Sequence, residues 1–166
     1  MIRDKLKIND IKTEFILLDT RQQLAKVDNA NIIVGSSEVA PVSSVRNLGA
    51  WFDSELSMST HISKVCSSTF FCLHNIKRIR KYLSVETAEI LEHAFITNRV
   101  DYCNSLLYGL PMYQLNKLQR LRNAAARVVL MVPRLCHINL ILLDLHWLPI
   151  RFRIQFKVTL FIFKAL

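Results

Sequence analysis

Residues Leu115 to Pro133 read LNKLQRLRNAAARVVLMVP, and this stretch decides the fold class. At about 100° per residue, Leu115, Leu118, Leu121, Ala125, Val128 and Val132 fall on one face. Lys117, Arg120 and Arg127 fall on the opposite side, and Arg122 sits at the apolar edge. The pattern predicts an amphipathic helix with one stripe to bury. Pro133 stops it, because proline has no amide hydrogen and its ring blocks the preceding turn.

Working upstream, the same period returns. Ile62, Val65, Thr69, Cys72, Ile76, Ile79 and Leu83 follow a three-four spacing, with Phe70 and Leu73 widening the stripe. Ser84 is placed to cap a further helix, with Glu86 in its first turn and Ala88, Leu91 and Phe95 along it. Asp101 to Pro111 breaks the period, and Gly109-Leu110-Pro111 ends it. Downstream, a short helix is expected over Asn139 to Asp144, before a corner at Trp147-Leu148-Pro149. From Ile150 to Thr159 apolar and polar residues alternate, which is the period of a strand. Helical spacing fits as well, since Arg153, Lys157 and Lys164 then share a face. The preceding segments are helical and no partner strand lies nearby, so a helix is expected there too.

The first part of the chain reads differently. Phe15-Ile16-Leu17-Leu18 and Ile32-Ile33-Val34 are short runs rich in strand formers, the second closed by Gly35-Ser36-Ser37. Val45 to Trp51 is a third candidate strand, with Gly49 marking a bulge or a close backbone approach. The expected fold is therefore mainly α with a small N-terminal β piece, divided into residues 1–56 and 57–166.

Composition is consistent with this. The chain has 166 residues, of which 51% are hydrophobic, enough for a core and too apolar for disorder. Three glycines and four prolines favour helices joined by short connections. The net charge of +9 is unevenly placed. Residues 1–116 carry 13 Lys and Arg against 12 Asp and Glu, whereas residues 117–166 carry nine against the single Asp144. A positive field confined to one part of a domain points to a polyanionic partner. Cys66, Cys72, Cys103 and Cys136 form no Cys-x-x-Cys pair, so neither a zinc site nor any other metal centre is expected. The five histidines are scattered, without a His-x-Asp pair for a non-haem iron site. No Gly-x-Ser-x-Gly elbow and no glycine-rich phosphate loop occurs. Charges in the first ten residues leave no room for a signal-peptide core, and no apolar run is long enough to span a membrane. An intracellular protein, nuclear or cytoplasmic, with free thiols is expected, with no membrane partner.

Three stretches carry a family resemblance. Phe95 to Pro111, FITNRVDYCNSLLYGLP, the segment Asn123 to Val128, and Leu145-His146-Trp147-Leu148-Pro149 resemble the region downstream of the polymerase active site in reverse transcriptases of LINE-type (non-long-terminal-repeat) retrotransposons. The likeness extends over nearly the whole chain, as far as Phe163-Lys164-Ala165-Leu166. It implies a palm end followed by a helical thumb-like bundle, and a parent activity of RNA-directed DNA synthesis needing magnesium. That chemistry uses carboxylates to hold two divalent ions. This chain has no Asp-Asp pair, so no catalytic residue is assigned and no cofactor is expected for it alone. It reads as a fragment lacking the upstream reverse-transcriptase domain, with that domain as one partner.

The resemblance also assigns roles. In Asn9-Asp10-Ile11-Lys12-Thr13-Glu14, where the family carries Pro-Asp ahead of the lysine, Lys12 matches a vestigial leaving-group cation beside the incoming triphosphate. Leu48 and Gly49 resemble part of the primer-grip hairpin that positions the growing DNA end. Lys77, Arg78, Arg80 and Lys81, together with Lys117, Arg120 and Arg127, match helices that lie along a template-primer duplex. Several such cations acting together would bind an RNA–DNA or DNA duplex in a salt-dependent way. Each group also has a plainer role: a surface lysine, a bulge in an edge strand, or a solvated helix face.

Two other functions fit parts of the chain. Its apolar stripes could serve a helical protein-protein module or self-association. Leu48 to Leu83 also resembles the short N-terminal module of alkylation-repair-type oxygenases that modify tRNA. The chain carries neither their iron ligands nor a methyltransferase cofactor loop.

Overall fold

The computed structural model describes residues 9, 12–27, 31–35 and 37–166. Asp10, Ile11 and Ser36, used in the sequence reading, lie outside the described residues. The described chain is mainly helical, with a small N-terminal β piece. It divides into two units, Met1–His61 and Ile62–Leu166.

The first unit holds a four-residue helix α1 (Arg21–Leu24) and two antiparallel hairpins, β1 (Ile32–Val34) with β2 (Ser37–Val39), and β3 (Ser44–Asn47) with β4 (Ala50–Asp53). The single strand expected over Val45 to Trp51 is thus a hairpin that turns at Leu48-Gly49. Both turn residues have positive φ, 45° and 89°, as a two-residue type I′ turn demands. Phe15 makes one bridge, to Pro41, and accepts from Val42 N–H at 2.9 Å. The strand expected at Phe15 to Leu18 is therefore an extended segment with one bridge, since Pro41 has no N–H to extend a ladder. Asp53 then shapes the exit from β4, its carboxylate accepting from Ser57 N–H at 2.7 Å.

The second unit is built on helices. Helix α2 (Ser59–Ile79) begins in the first unit and runs through Ile62, Thr69, Leu73 and Ile76, all buried. A 3-10 turn, Arg80–Tyr82, follows it. Ser84 caps α3 (Val85–Glu92), accepting from Thr87 N–H at 3.2 Å, as the sequence led us to expect. A π-helical segment, His93–Thr97, then joins α3 to α4 (Asn98–Asp101). This segment rotates the buried face, so Ile96 and Val100 enter the core and Phe95 stays 46% exposed, against the expected α-helical period.

The central element is α5 (Met112–Leu130), which packs against α3, α6 (Ile138–Asp144) and α7 (Ile150–Ala165). Leu115, Leu118, Leu121, Ala125, Ala126 and Val129 are buried along it. The expected stripe shifts at its end, where Val129 replaces Val128 and Val132 lies beyond the helix. Met131 there takes φ 53°, and Val132 N–H bonds to Arg127 C=O at 3.1 Å, closing a Schellman motif ahead of Pro133. The ambiguous C-terminal stretch is helical, α7, with Ile150 and Ile154 as its buried residues.

Candidate nucleic-acid interface

Two observations set the geometry of the basic region. Arg80, 4% exposed, donates Nε–H to the carbonyl of Val129 at 2.8 Å and an NH1 hydrogen to the carbonyl of Leu83 at 2.7 Å. Lys117 acts electrostatically on the Cys66 thiol, lowering a pKa that burial pushes up. Arg80, in the turn that follows α2, thus reaches the last turn of α5, and Lys117 of α5 lies within electrostatic reach of Cys66 on α2.

The proposed cations divide on this frame. Lys77, Arg78 and Lys81 at the end of α2, and Lys117 and Arg120 on α5, are exposed. Lys77 and Arg78 also lie in the last turn of α2, where they offset the negative end of its dipole. Lys81 rests its ammonium 4.8 Å from the ring centre of Tyr82. Arg80 is a correction to the expected surface set. Its guanidinium is buried and satisfies the Val129 carbonyl, one of the last four in α5 that no helical amide reaches. Arg127 is half withdrawn as well. It reaches the carbonyls of Asn123 and Cys136 at 3.4 and 3.5 Å, and its Nε is buried with no hydrogen-bond partner among the described residues.

In the first unit, Lys12 has an exposed side chain, and its backbone N–H bonds to Asn9 C=O at 3.1 Å. Leu48 and Gly49 form the hairpin tip, with Leu48 85% exposed. His61, buried beneath this hairpin, accepts from Trp51 N–H at 3.3 Å, and burial pushes its pKa down.

A buried polar chain that sequence reading overlooked lies at the centre of the helical unit. Arg122, 3% exposed, donates Nε–H to Leu148 C=O at 2.9 Å and NH1 to Thr97 Oγ1 at 3.2 Å. Its guanidinium carbon lies 4.6 Å from the Trp147 ring centre. The Thr97 hydroxyl faces both carboxylate oxygens of Glu92 at 3.0 Å. An α-helix would set residues five apart about 140° out of line, whereas a π-helix bonds residues five apart and stacks them. The π segment is therefore what brings Thr97 over Glu92. Burial raises the Glu92 pKa to about 7, opposed by the Thr97 bond and by Arg122 and Arg153. Burial, then Arg153, lowers that of Arg122 to about 10. Beside this chain Arg153 forms a two-toothed ion pair with Asp101, which raises its own pKa.

These contacts explain the Leu145-to-Pro149 motif in structural terms. His146 takes φ 53° at the end of α6, and Trp147 N–H bonds to Leu142 C=O at 2.7 Å. Trp147 is thereby turned inward onto Arg122, the Leu148 carbonyl accepts from that arginine, and Pro149 opens α7. The one sequence signal was Arg122 at the apolar edge of its helix. Among the described residues, no three His, Cys, Asp or Glu side chains are grouped to hold a metal ion. No described helix is long and apolar enough to cross a membrane. Compared with protein-family models, curated proteins and solved structures, the chain has no significant match.

Proposed function

We propose that the helical unit binds a nucleic-acid duplex, RNA–DNA or DNA, as the duplex-holding part of a LINE-type reverse transcriptase. The observation that carries this reading is the exposed set Lys77 and Arg78 in the last turn of α2, Lys81 in the turn after it, and Lys117 and Arg120 on α5. Phosphates along a duplex backbone are held by several cations at once, without need of base contacts. The resemblance at Phe95 to Pro111 and Leu145 to Pro149 points to the same kind of partner. On this reading the metal-holding carboxylates come from an upstream domain, the hairpin tip at Leu48 and Gly49 is the primer-facing element, and Lys12 is vestigial. The chain alone then holds duplex and does not extend a primer.

The test is fluorescence anisotropy of a labelled RNA–DNA duplex across a salt series. Micromolar or tighter binding with a log-log salt slope of about −3 or steeper supports the reading. Absent or salt-insensitive binding rejects it. One observation favours a second reading, self-association. Phe156, Phe161, Ile162 and Phe163 on α7 are 62, 51, 57 and 77% exposed. Sedimentation that reports dimers persisting in high salt, with no duplex bound, would favour that reading instead.

A further inference from the structure

A second feature lies on the side of α5 turned to α6 and α7, away from Lys117. Asn116, Gln119 and Asn123 recur at a spacing that places them on one helical face. A seam between helices is ordinarily closed by apolar side chains, yet here it carries three carboxamides. With Asn139 of α6 and Arg151 and Phe152 of α7, they line a cleft of about 320 Å³ over an apolar floor. Gln119 is locked. Its Oε1 accepts from Ile150 N–H at 2.8 Å, and its Nε2 donates to Asn123 Oδ1 at 2.7 Å. That bond occupies the oxygen of Asn123 and leaves its amide hydrogens for a ligand. Phe152, 52% exposed, offers a ring beside these groups.

Arg151 also lines a neighbouring cleft of about 350 Å³, whose other walls include Tyr108 and Gln155. Tyr108 is 61% exposed. The two clefts therefore repeat one design, a flat ring and a carboxamide, with a guanidinium shared between them. Their volumes lie at the small end for ligand sites, suited to a base and not to a large cofactor. Unpaired bases are held in proteins by stacking on aromatic rings and by amides that bond their edges, and the phosphate between them by a cation.

We infer that the α5–α6–α7 face binds single-stranded nucleic acid, seating two successive unpaired bases in the clefts at Phe152 and Tyr108 with Arg151 on the intervening phosphate. A duplex cannot enter this way, because its bases are stacked and paired. The inference rests on nucleic acid being the partner, and adds a second, chemically distinct site to the basic face of α2 and α5. It gives the protein a means to hold an unpaired strand where it leaves a duplex.

The experiment compares labelled homopolymer strands of DNA and RNA, which have no complement to pair with, with a stable duplex of the same length. Binding of each to the full chain is read by anisotropy at fixed salt. Phe152→Ala and Tyr108→Ala are each expected to weaken single-strand binding about tenfold, the scale of one base–aromatic stack, and to leave duplex binding unchanged. Asn123→Ala is expected to weaken one homopolymer more than another, because amides discriminate base edges. All three sites are at the surface or half-buried, and an unchanged melting temperature verifies the fold. Duplex binding without single-strand binding overturns this inference and leaves the duplex reading intact. Binding of neither overturns both. Single-strand binding that ignores Phe152→Ala and Tyr108→Ala, but falls with Lys117→Ala, also overturns it, since the strand then lies on the basic face.

Discussion

Arg122 joins three segments that are distant in sequence: α5, the π segment at Thr97, and the corner at Trp147 and Leu148. Its removal strands the Leu148 carbonyl and the Thr97–Glu92 pair in the interior, and losing one partner of a buried charged group costs about 3–5 kcal/mol. Arg122→Ala is accordingly expected to lose at least about 3 kcal/mol of stability, measured as the shift of the urea midpoint. Arg122→Lys recovers little of it, since an ammonium cannot stack on Trp147 and bond in two directions at once. Glu92 makes the opposite kind of prediction. Its folded pKa of about 7 lies above the ordinary 4.5, so between these values the folded chain holds the extra proton. Its contribution is favourable below pH 4.5 and is lost as pH rises through about 7. Thr97, His93, Arg122, Arg153 and Asp101 all face this carboxyl, and the groups other than Glu92 stay in place in the variant. Glu92→Gln is expected to match the wild type in acid and to melt higher above neutrality. The gain is on the order of 2–3 kcal/mol. A wild-type difference that does not change with pH would reject this.

At the scale of elements, α5 and α6 close on left-handed residues that are not glycine. Leu48, Leu56, Met58, Cys103, Met131 and His146 all take positive φ among the described residues. For a residue with a Cβ, each such conformation costs roughly 1–2 kcal/mol. Two of them, Met131 and His146, stand at the left-handed position of Schellman motifs, where glycine is the usual occupant. Met131 is 63% exposed, so its side chain has little packing to lose. Met131→Gly is therefore expected to stabilise the protein by about 1 kcal/mol, less a few tenths for the freer unfolded chain. A thermal scan should show a rise of about 3 °C. His146 is a different case, because the residue after it delivers Trp147 to Arg122.

For the whole molecule, the charge imbalance has two parts. Of the nine cations after residue 116, Arg153 pairs with Asp101, and Arg122 is buried against Thr97, Leu148 and Trp147. That share of the excess is internal and contributes nothing to a partner. Lys117 and Arg120 remain outside. The double variant Lys117→Ala, Arg120→Ala is expected to flatten the salt slope of duplex binding by about 2, with the melting temperature unchanged. Arg80→Ala should do the reverse, lowering stability because Val129 loses its cap, while leaving the slope alone. Equal effects of both on the slope would mean that Arg80 reaches the ligand.

Much of the helical architecture was legible from residues alone. The stripe from Leu115, the cap at Ser84, the stop at Pro133 and the helix at Asn139 to Asp144 follow from local periodicity and local hydrogen bonding, which need no distant partner. The hairpin at Leu48-Gly49 was half legible, since Gly49 signalled a special backbone but Leu48 is an unusual residue for a left-handed turn. The π segment was not legible, because Phe95 fits an α-helical period as well as Ile96 does. Nor could sequence separate Arg80 from its neighbours Lys77, Arg78 and Lys81, and the place of Arg122 at the apolar edge of its helix did not say which carbonyl it would meet. A helix dictates which side chains share a face, and short-range chemistry suffices for that. Which cation is buried, and against which carbonyl, depends on what packs there from 25 or more positions away, and only the assembled helices decide it.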